Sequence, residues 1–277
     1  MEYRKLEDWS KWLEKNFSNE IMIPILPVII RLDGNNFSKW TKDLNKPFDA
    51  DFSYLMIETT KFLVKETNAL IGYTQSDEIT LILYSNNRQN QIYHNGKKQK
   101  ILSKLTGNCV NFFNENRKDF LCVSKNPANF DARIYQTPTL QDAVGQLIWR
   151  ENDAVKNSVS MLAQSLYSHQ ELMNINTSDL YYKMIKEHNV DWKNLPIKFQ
   201  RGSYIKRTQI EKKLDVEELN QLPEKHLARQ NPDMMIKRSV IREMHYPPIN
   251  QISNMVDVVF HNENLKLKQT SSLFRYP

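Results

Sequence analysis

Asp33 and Asp77 are the residues with which chemistry could begin. Asp33 closes the β-branched run Val28-Ile29-Ile30-Arg31-Leu32, and Asp77 sits in the polar turn Gln75-Ser76-Asp77-Glu78 just before Ile79-Thr80-Leu81-Ile82. Two carboxylates brought side by side repel unless a cation lies between them. Mg²⁺ commonly takes one or two carboxylates together with substrate phosphate oxygens. Two such ions about 4 Å apart activate an attacking hydroxyl and stabilise a leaving pyrophosphate. The plainer alternative is that both are turn residues, since aspartate is common where strands end. Gly34 directly follows Asp33. A glycine there lets the backbone approach a ligand, and the amides of Asn35, Asn36 and Phe37 could then cradle a triphosphate as an anion nest. A simple left-handed turn is the other reading of that glycine.

Whether the two aspartates meet depends on topology. Pro27 to Leu32 reads as a buried strand, followed by a helix capped by Asp49 or Asp51 with Phe52, Leu55, Met56 and Leu63 at helical spacing. Ala69–Thr74 and Ile79–Tyr84 are two short strands, Lys100–Asn116 a helix, Phe130–Tyr135 a strand, and Thr139–Ser168 a long amphipathic helix. The order β-α-β-β-α-β plus a helix is the split βαβ, ferredoxin-like unit, an α+β fold. In it the first and third strands are antiparallel neighbours, so Asp33 and Asp77 should meet at one edge of the sheet. Residues 1–207 are expected to form the catalytic domain. Residues 208–277 form an extension, either packed on it or building an oligomer interface. Leu214–Leu222 reads as a short acidic helix or loop. Arg238, Arg242, His245 and Tyr246 form a basic–aromatic cluster that suits RNA or is simply solvated.

Composition narrows the alternatives. Six glycines in 277 residues exclude collagen-like and glycine-rich-linker classes, and neither GxxxxGK[ST] nor GxGxxG occurs. The net charge is +6, and residues 201–277 carry 13 Lys/Arg against 9 Asp/Glu, an excess of four. That favours a polyanionic partner, although lysine-rich proteins without one are common. Cys109 and Cys122 cannot build a zinc site alone and read as buried thiols of a reducing compartment. The longest apolar run, Ile21–Ile30, is broken by Pro24 and Pro27 and is far short of the roughly 20 residues of a membrane span. With no apolar leader after Met1, a cytoplasmic location without membrane association is expected.

Three ordered blocks then carry a resemblance. Arg31-Leu32-Asp33-Gly34-Asn35-Asn36-Phe37, Lys46-Pro47-Phe48-Asp49 and Gly72-Tyr73-Thr74-Gln75-Ser76-Asp77-Glu78 resemble the RxDGxxF, KPxD and GxxQSDE blocks of the tRNA-histidine guanylyltransferase superfamily. Phe130-Asp131-Ala132-Arg133, Trp149-Arg150-Glu151-Asn152-Asp153-Ala154 and Phe199-Gln200-Arg201-Gly202-Ser203 continue it, over about residues 25–207. The resemblance implies a polymerase-like palm that adds nucleotides in the 3′→5′ direction to the 5′ end of tRNA. It further implies two Mg²⁺ ions on Asp33, Asp77 and the Gly34 carbonyl, with Glu78 orienting the site. The Asn35, Asn36 and Phe37 amides would hold the incoming triphosphate, and Lys46, Ser76, Lys97 and Lys100 would contact phosphates. Arg133, Arg150, Lys156, Asn157, His169 and Arg201 would meet RNA. ATP and GTP or other nucleoside triphosphates would be substrates, and a homo-tetramer the assembly.

One departure separates branches of that superfamily. Histidine-tRNA enzymes carry an HINNLYN-type stretch where this chain has Val155-Lys156-Asn157-Ser158-Val159-Ser160-Met161. Asp153, Ala154, Lys156, Asn157 and Ser158 instead match the Asp-Ala-x-[Arg/Lys]-Asn-Ser pattern of the template-dependent branch, which repairs tRNA 5′ ends. Ser165–Leu172 also resembles that branch. The expectation is therefore templated 5′-end repair, with ATP activating 5′-monophosphorylated ends. The alternatives are obligatory G addition to histidine tRNA, a palm-domain nucleotide cyclase, and a non-catalytic tRNA-binding protein.

Overall fold

The computed structural model describes residues 3–90, 92–120 and 126–268, so Cys122 lies outside the described residues. In chain order the principal elements are α1 (Tyr3–Ser18), β1 (Val28–Gly34), α2 (Phe37–Trp40), α3 (Ala50–Thr67), β2 (Ile71–Gln75), β3 (Glu78–Leu83), α4 (Lys98–Phe120), β4 (Phe130–Gln136), α5 (Leu140–Gln164), α6 (His169–Leu172), α7 (Thr177–His188), α8 (Ile197–Arg201), β5 (Ser203–Lys213) and β6 (Met235–Met244). Local chemistry sets several of these limits. The Asp49 carboxylate accepts from the Phe52 amide at 2.8 Å and starts α3, while Asn68, in the left-handed region, ends it. Thr139 caps α5 by accepting from the Asp142 amide at 3.0 Å. The helix expected over 139–168 stops at Gln164, because Ser168 and Glu171 make a reciprocal capping box that begins α6.

The sheet is antiparallel throughout, in the order β4-β1-β3-β2-β5-β6. Its first four strands are the ferredoxin-like arrangement, and the α+β class expected from the element order is the class observed. Alternation along β1 divides its residues between two cores. Val28, Ile30 and Leu32 pack with Leu55 and Leu63 of α3 and Ile101, Leu105 and Phe113 of α4. On the opposite face Ile29, Ile71 and Ile82 meet Ala143, Val144 and Leu147 of α5, joined by Ile249, Ile252 and Val258. A third cluster, with Val155, Val159 and Leu162 of α5 against Leu180, Tyr181 and Met184 of α7, ties down the far half of α5. At about 1.5–3 kcal/mol for each fully buried large apolar side chain, these cores make α5 a fixed beam across the sheet.

The domain limit placed at 207/208 falls inside β5. Strand β6 pairs with β5 over ten positions, from Tyr204–Met244 to Lys213–Met235, and Tyr246, Ile249 and Val258 are core residues. Residues 208–268 thus continue the sheet. The expected cluster of Arg238, Arg242, His245 and Tyr246 is dispersed: Tyr246 is buried, and Arg238 bonds Glu218 at 2.8 Å. Among the described residues no helix is long and apolar enough to cross a membrane.

Candidate functional site

Strand pairing brings the two aspartates together. In the antiparallel β1–β3 register Asp33 lies opposite Glu78, and Asp77 is the preceding residue, in the two-residue turn that joins β2 to β3 across the Gln75–Glu78 pair. The Gly34 amide donates to the Asp77 carbonyl at 3.1 Å, stitching the two segments. Glycine is required at 34 by close approach. A Cβ there would fall 2.4 Å from the Phe37 ring and 2.8 Å from the Asp77 Cβ. Phe37 itself is buried in an aromatic cluster with Trp40, Phe52, Phe113 and Phe130, which anchors the segment that follows Asp33.

Charge around the turn is uneven. Glu78 is held by Arg150 from α5 through a short ion pair, and Arg150 also reaches Asp153 at 3.2 Å. Arg31 stands 3.9 Å from Asp33 and 3.8 Å from Glu78, and its buried Nε has no hydrogen-bond partner among the described residues. Among the described residues Asp77 has no such cation. Burial pushes its carboxyl up to about 6; the backbone and Ser76 hydrogen bonds oppose that shift, and Asp33 and Glu78 reinforce it. A carboxyl in that position gains from a positive ligand.

Two cavities meet at the turn. One, of about 380 Å³, is lined by Asp33, Ser76, Asp77, Glu78, Arg150 and Asn157, among others. The other, narrower at about 70 Å³, is lined by Lys46, Phe48, Asp49, Ser76, Lys198 and Phe199, among others. Gln75, Ser76 and Met161 belong to both walls. Phe48 stacks on Phe199 with ring centroids 5.0 Å apart, so the KPxD block and α8 meet as one wall. Gly202, at φ +76°, ends α8 where a Cβ would strike the Thr74 carbonyl at 2.5 Å.

The remaining expected site residues divide. Lys46 lines the narrow cavity, its Nζ donating to the Thr41 carbonyl at 3.0 Å. The Asn35 amide is already spent on the Asn129 carbonyl at 2.8 Å. That leaves Asn36, in the left-handed region, and Phe37 as the amides of the segment to consider. Lys97 and Lys100 are not brought to the site. They stand at the start of α4, whose Phe113 packs under Phe37, and thirteen residues of helix put Lys100 about 20 Å along the axis from it. Within the chain, β3 runs away from the β2–β3 turn and delivers the start of α4 to the other end of the sheet. Arg201 is buried, 3.5 Å from Glu151 and bonded to the Tyr246 carbonyl at 3.0 Å, so it is a core residue and does not face RNA. Arg150 likewise is buried and paired. Arg133, Lys156, Asn157 and His169 are exposed. Arg133 lies beside Arg31 in the β1–β4 register.

Five contributors have no individual role from sequence. Arg31 precedes Asp33 by two residues on a strand, the period that puts both on one face, and that spacing could have found it. Phe199 opens one of the blocks and Lys198 precedes it, but their wall is formed only by the turn of α8. Asp153 and Gln164, one and four helical turns from Arg150 on α5, follow from 3.6-residue spacing once Arg150 is placed.

Among the described residues no group of three or more His, Cys, Asp or Glu is arranged to hold a metal ion. The chain offers two carboxylates and a backbone carbonyl, all oxygen donors. That set fits Mg²⁺, which keeps several waters and draws on substrate phosphates, and the raised Asp77 carboxyl beside Asp33 is the local crowding that a cation relieves.

Comparison with known proteins adds to this geometry. The tRNAHis guanylyltransferase family model matches residues 10–138. A solved bacterial tRNA(His) guanylyltransferase (Thg1)-like protein in complex with ATP is similar at 34% identity and TM-score 0.68, over 73% of this chain and 88% of that one. A second bacterial structure of that description, in complex with GTP, is similar at 29% identity and TM-score 0.68, over 89% of this chain and 94% of that one. A probable tRNA(His) guanylyltransferase of Mus musculus is 24% identical over 207 residues, 69% of this chain and 68% of that protein.

Proposed function

We propose, since this chain belongs to the tRNAHis guanylyltransferase superfamily of nucleotidyltransferases, that it extends the 5′ end of tRNA or tRNA-like RNA in the 3′→5′ direction, copying the opposite strand. The observation that carries this reading is the junction of two cavities at Ser76, one walled by aromatic rings and lysines, the other by Asp33 and Asp77. A nucleoside triphosphate bound across that junction would set its base against Phe48 and Phe199 and its phosphates beside the carboxylates.

Mg²⁺, two ions in this reading, would be held by Asp33, Asp77 and the Gly34 carbonyl; when bound it polarises phosphate oxygens and lowers the pKa of an attacking hydroxyl. The protein's own groups bind and orient. Lys46 and Lys198 supply positive charge at the narrow cavity, and the Asn36 and Phe37 amides would donate to phosphate oxygens. Arg150 fixes Glu78, so Glu78 positions the turn, and Arg31 balances Asp33. Asn157, Lys156, Arg133 and His169 offer exposed donors to RNA. A 5′-monophosphorylated end would first be adenylylated by ATP, releasing pyrophosphate. The 3′-hydroxyl oxygen of the incoming nucleotide then bonds to the 5′ phosphorus as the bond to AMP breaks, and the hydroxyl proton passes to solvent. A 5′-triphosphorylated end releases pyrophosphate directly. A homo-tetramer is part of the proposal and is measured by sedimentation.

The test is incubation of the protein with Mg²⁺, 5′-truncated tRNA, ATP and labelled nucleotides. Templated extension is expected, with loss of at least about a hundredfold in Asp33→Ala and in Asp77→Ala. Extension that survives both substitutions overturns the assignment. Addition of a single G to full-length tRNA regardless of the opposite base would identify the histidine-tRNA activity instead, and cyclic nucleotide made from ATP without RNA would identify a cyclase.

A further inference from the structure

A third cavity lies away from the Ser76–Asp77 turn, between the β5–β6 hairpin and the segment 257–265. Its volume is about 630 Å³, within the range of small-molecule sites, and it shares no lining residue with the two cavities of the candidate site. Its wall is rich in donors: Lys206 and Thr208 from β5, with Gln209, Asn262 and Asn264. The titratable groups on it are Lys206, Tyr246, His261 and Glu263.

Lys206 is the unusual member. Its side chain rises from the same sheet face as Tyr204 and is only 3% exposed. Among the described residues its Nζ donates to the Val258 carbonyl and forms no ion pair. An ammonium has three N–H donors, and a buried cation without a counter-charge is costly; burial pushes this amine down to about 8. Two residues on, with its side chain on the same face, the buried Thr208 Oγ1 has no hydrogen-bond partner among the described residues. Arg242 stands directly across from Lys206 in the strand register. Capping the Val258 carbonyl accounts for one N–H of Lys206. It leaves unexplained the orphaned hydroxyl and the amide-lined wall beside it.

We propose that this cleft binds a phosphate group, with Lys206 as its cation and the Thr208 hydroxyl as a donor. An anion there restores the ammonium's missing counter-charge and satisfies Thr208, and charge-assisted bonds of this kind are the stronger ones. The phosphate can come from a free nucleotide or pyrophosphate, or from RNA.

The experiment is limited amine acetylation of the full chain, with Lys206 modification followed by peptide mass spectrometry. It is run alone and with inorganic pyrophosphate, with ATP, and with 5′-truncated tRNA. Bound phosphate holds the amine protonated, so Lys206 labelling is expected to slow by about tenfold, while exposed lysines such as Lys11 are unchanged. Protection by pyrophosphate or ATP assigns a small-molecule site, and protection by tRNA alone assigns an RNA contact. Thr208→Val, which removes an unsatisfied hydroxyl and should keep its melting temperature, is expected to weaken the protection several-fold. Labelling that none of the three probes slows, or protection that Thr208→Val leaves unchanged, overturns the proposal.

Discussion

At the scale of single residues, Gly34 and Arg150 do the most to define the site's geometry. Gly34→Ala places a methyl 2.4 Å from the Phe37 ring and 2.8 Å from the Asp77 Cβ. Overpacking of that kind costs about 1–3 kcal/mol, and a misplacement near 1 Å at reacting groups costs about a hundredfold in rate. Gly34→Ala should therefore melt only a few degrees lower yet lose nearly all extension activity. Arg150→Met leaves Glu78 without its main cation and should cost about 3 kcal/mol in urea unfolding. The double variant Arg150→Met, Glu78→Met should recover much of that loss, because the destabilisation comes from an unpaired charge. A double variant no more stable than the single would refute that account. Cys109 is fully buried, and burial pushes its thiol up to about 12. An unfolded thiol ionises near 8.5, so between those values the unfolded chain releases a proton that the folded chain keeps. Cys109 must therefore make the protein less stable as pH rises through that window. In Cys109→Ala this component of the alkaline slope should vanish.

At the scale of elements, α5 links the site to the rest of the molecule. Arg150 faces the Asp77 turn, and its neighbour Glu151, fully buried, accepts from the Tyr204 hydroxyl at 2.8 Å and from the Ile249 amide at 3.0 Å. Arg201 stands 3.5 Å away as the counter-ion. Glu151→Ala would strand Arg201 and the Ile249 amide, and about 3–5 kcal/mol of stability should go with them, read as a lower urea midpoint. The legibility of elements from sequence follows the same division. The first four strands and α3, α4 and α5 show clear apolar periodicity, and their order alone puts Asp33 beside Asp77, as the strand pairing does. Strand β5 was hidden because only Ser203–Lys206 is buried, after which Gln209, Glu211 and Lys213 alternate outward like a solvated loop. Arg201 and Glu151 are hidden by a different rule. A charged residue in a helical segment reads as surface, and only the tertiary pairing shows that it is core. Lys97 and Lys100 rest on the resemblance alone, which carries a residue type at a position and not which end of α4 lies beside the turn within one chain.

At the scale of the whole molecule, one sheet serves both the candidate site and the C-terminal part. Strand β5 joins β2 through Ser203–Thr74 to Lys206–Ile71 and carries β6 on its other side. A chain ending at residue 207 would cut β5 midway, and it would strip Tyr246, Ile249 and Val258 from the core they share with Ile71 and Leu147. Such a fragment should not unfold cooperatively in calorimetry, whereas residues 1–268 should give a single transition. A cooperative transition in the 1–207 fragment would show that the C-terminal residues form a separate domain.

The turn between β2 and β3 has only Ser76 and Asp77 between paired strands, with Ser76 at a positive φ of 52°. The hairpin therefore acts as a ruler, with no slack to absorb an extra link. One codon inserted between Gln75 and Glu78 would either loop out Asp77 or slip β3 by one step, turning Glu78 and Thr80 toward the α3–α4 core and Ile79 and Leu81 toward α5. Insertional scanning should find this the least forgiving position in the gene, intolerant of length where other turns are intolerant only of identity.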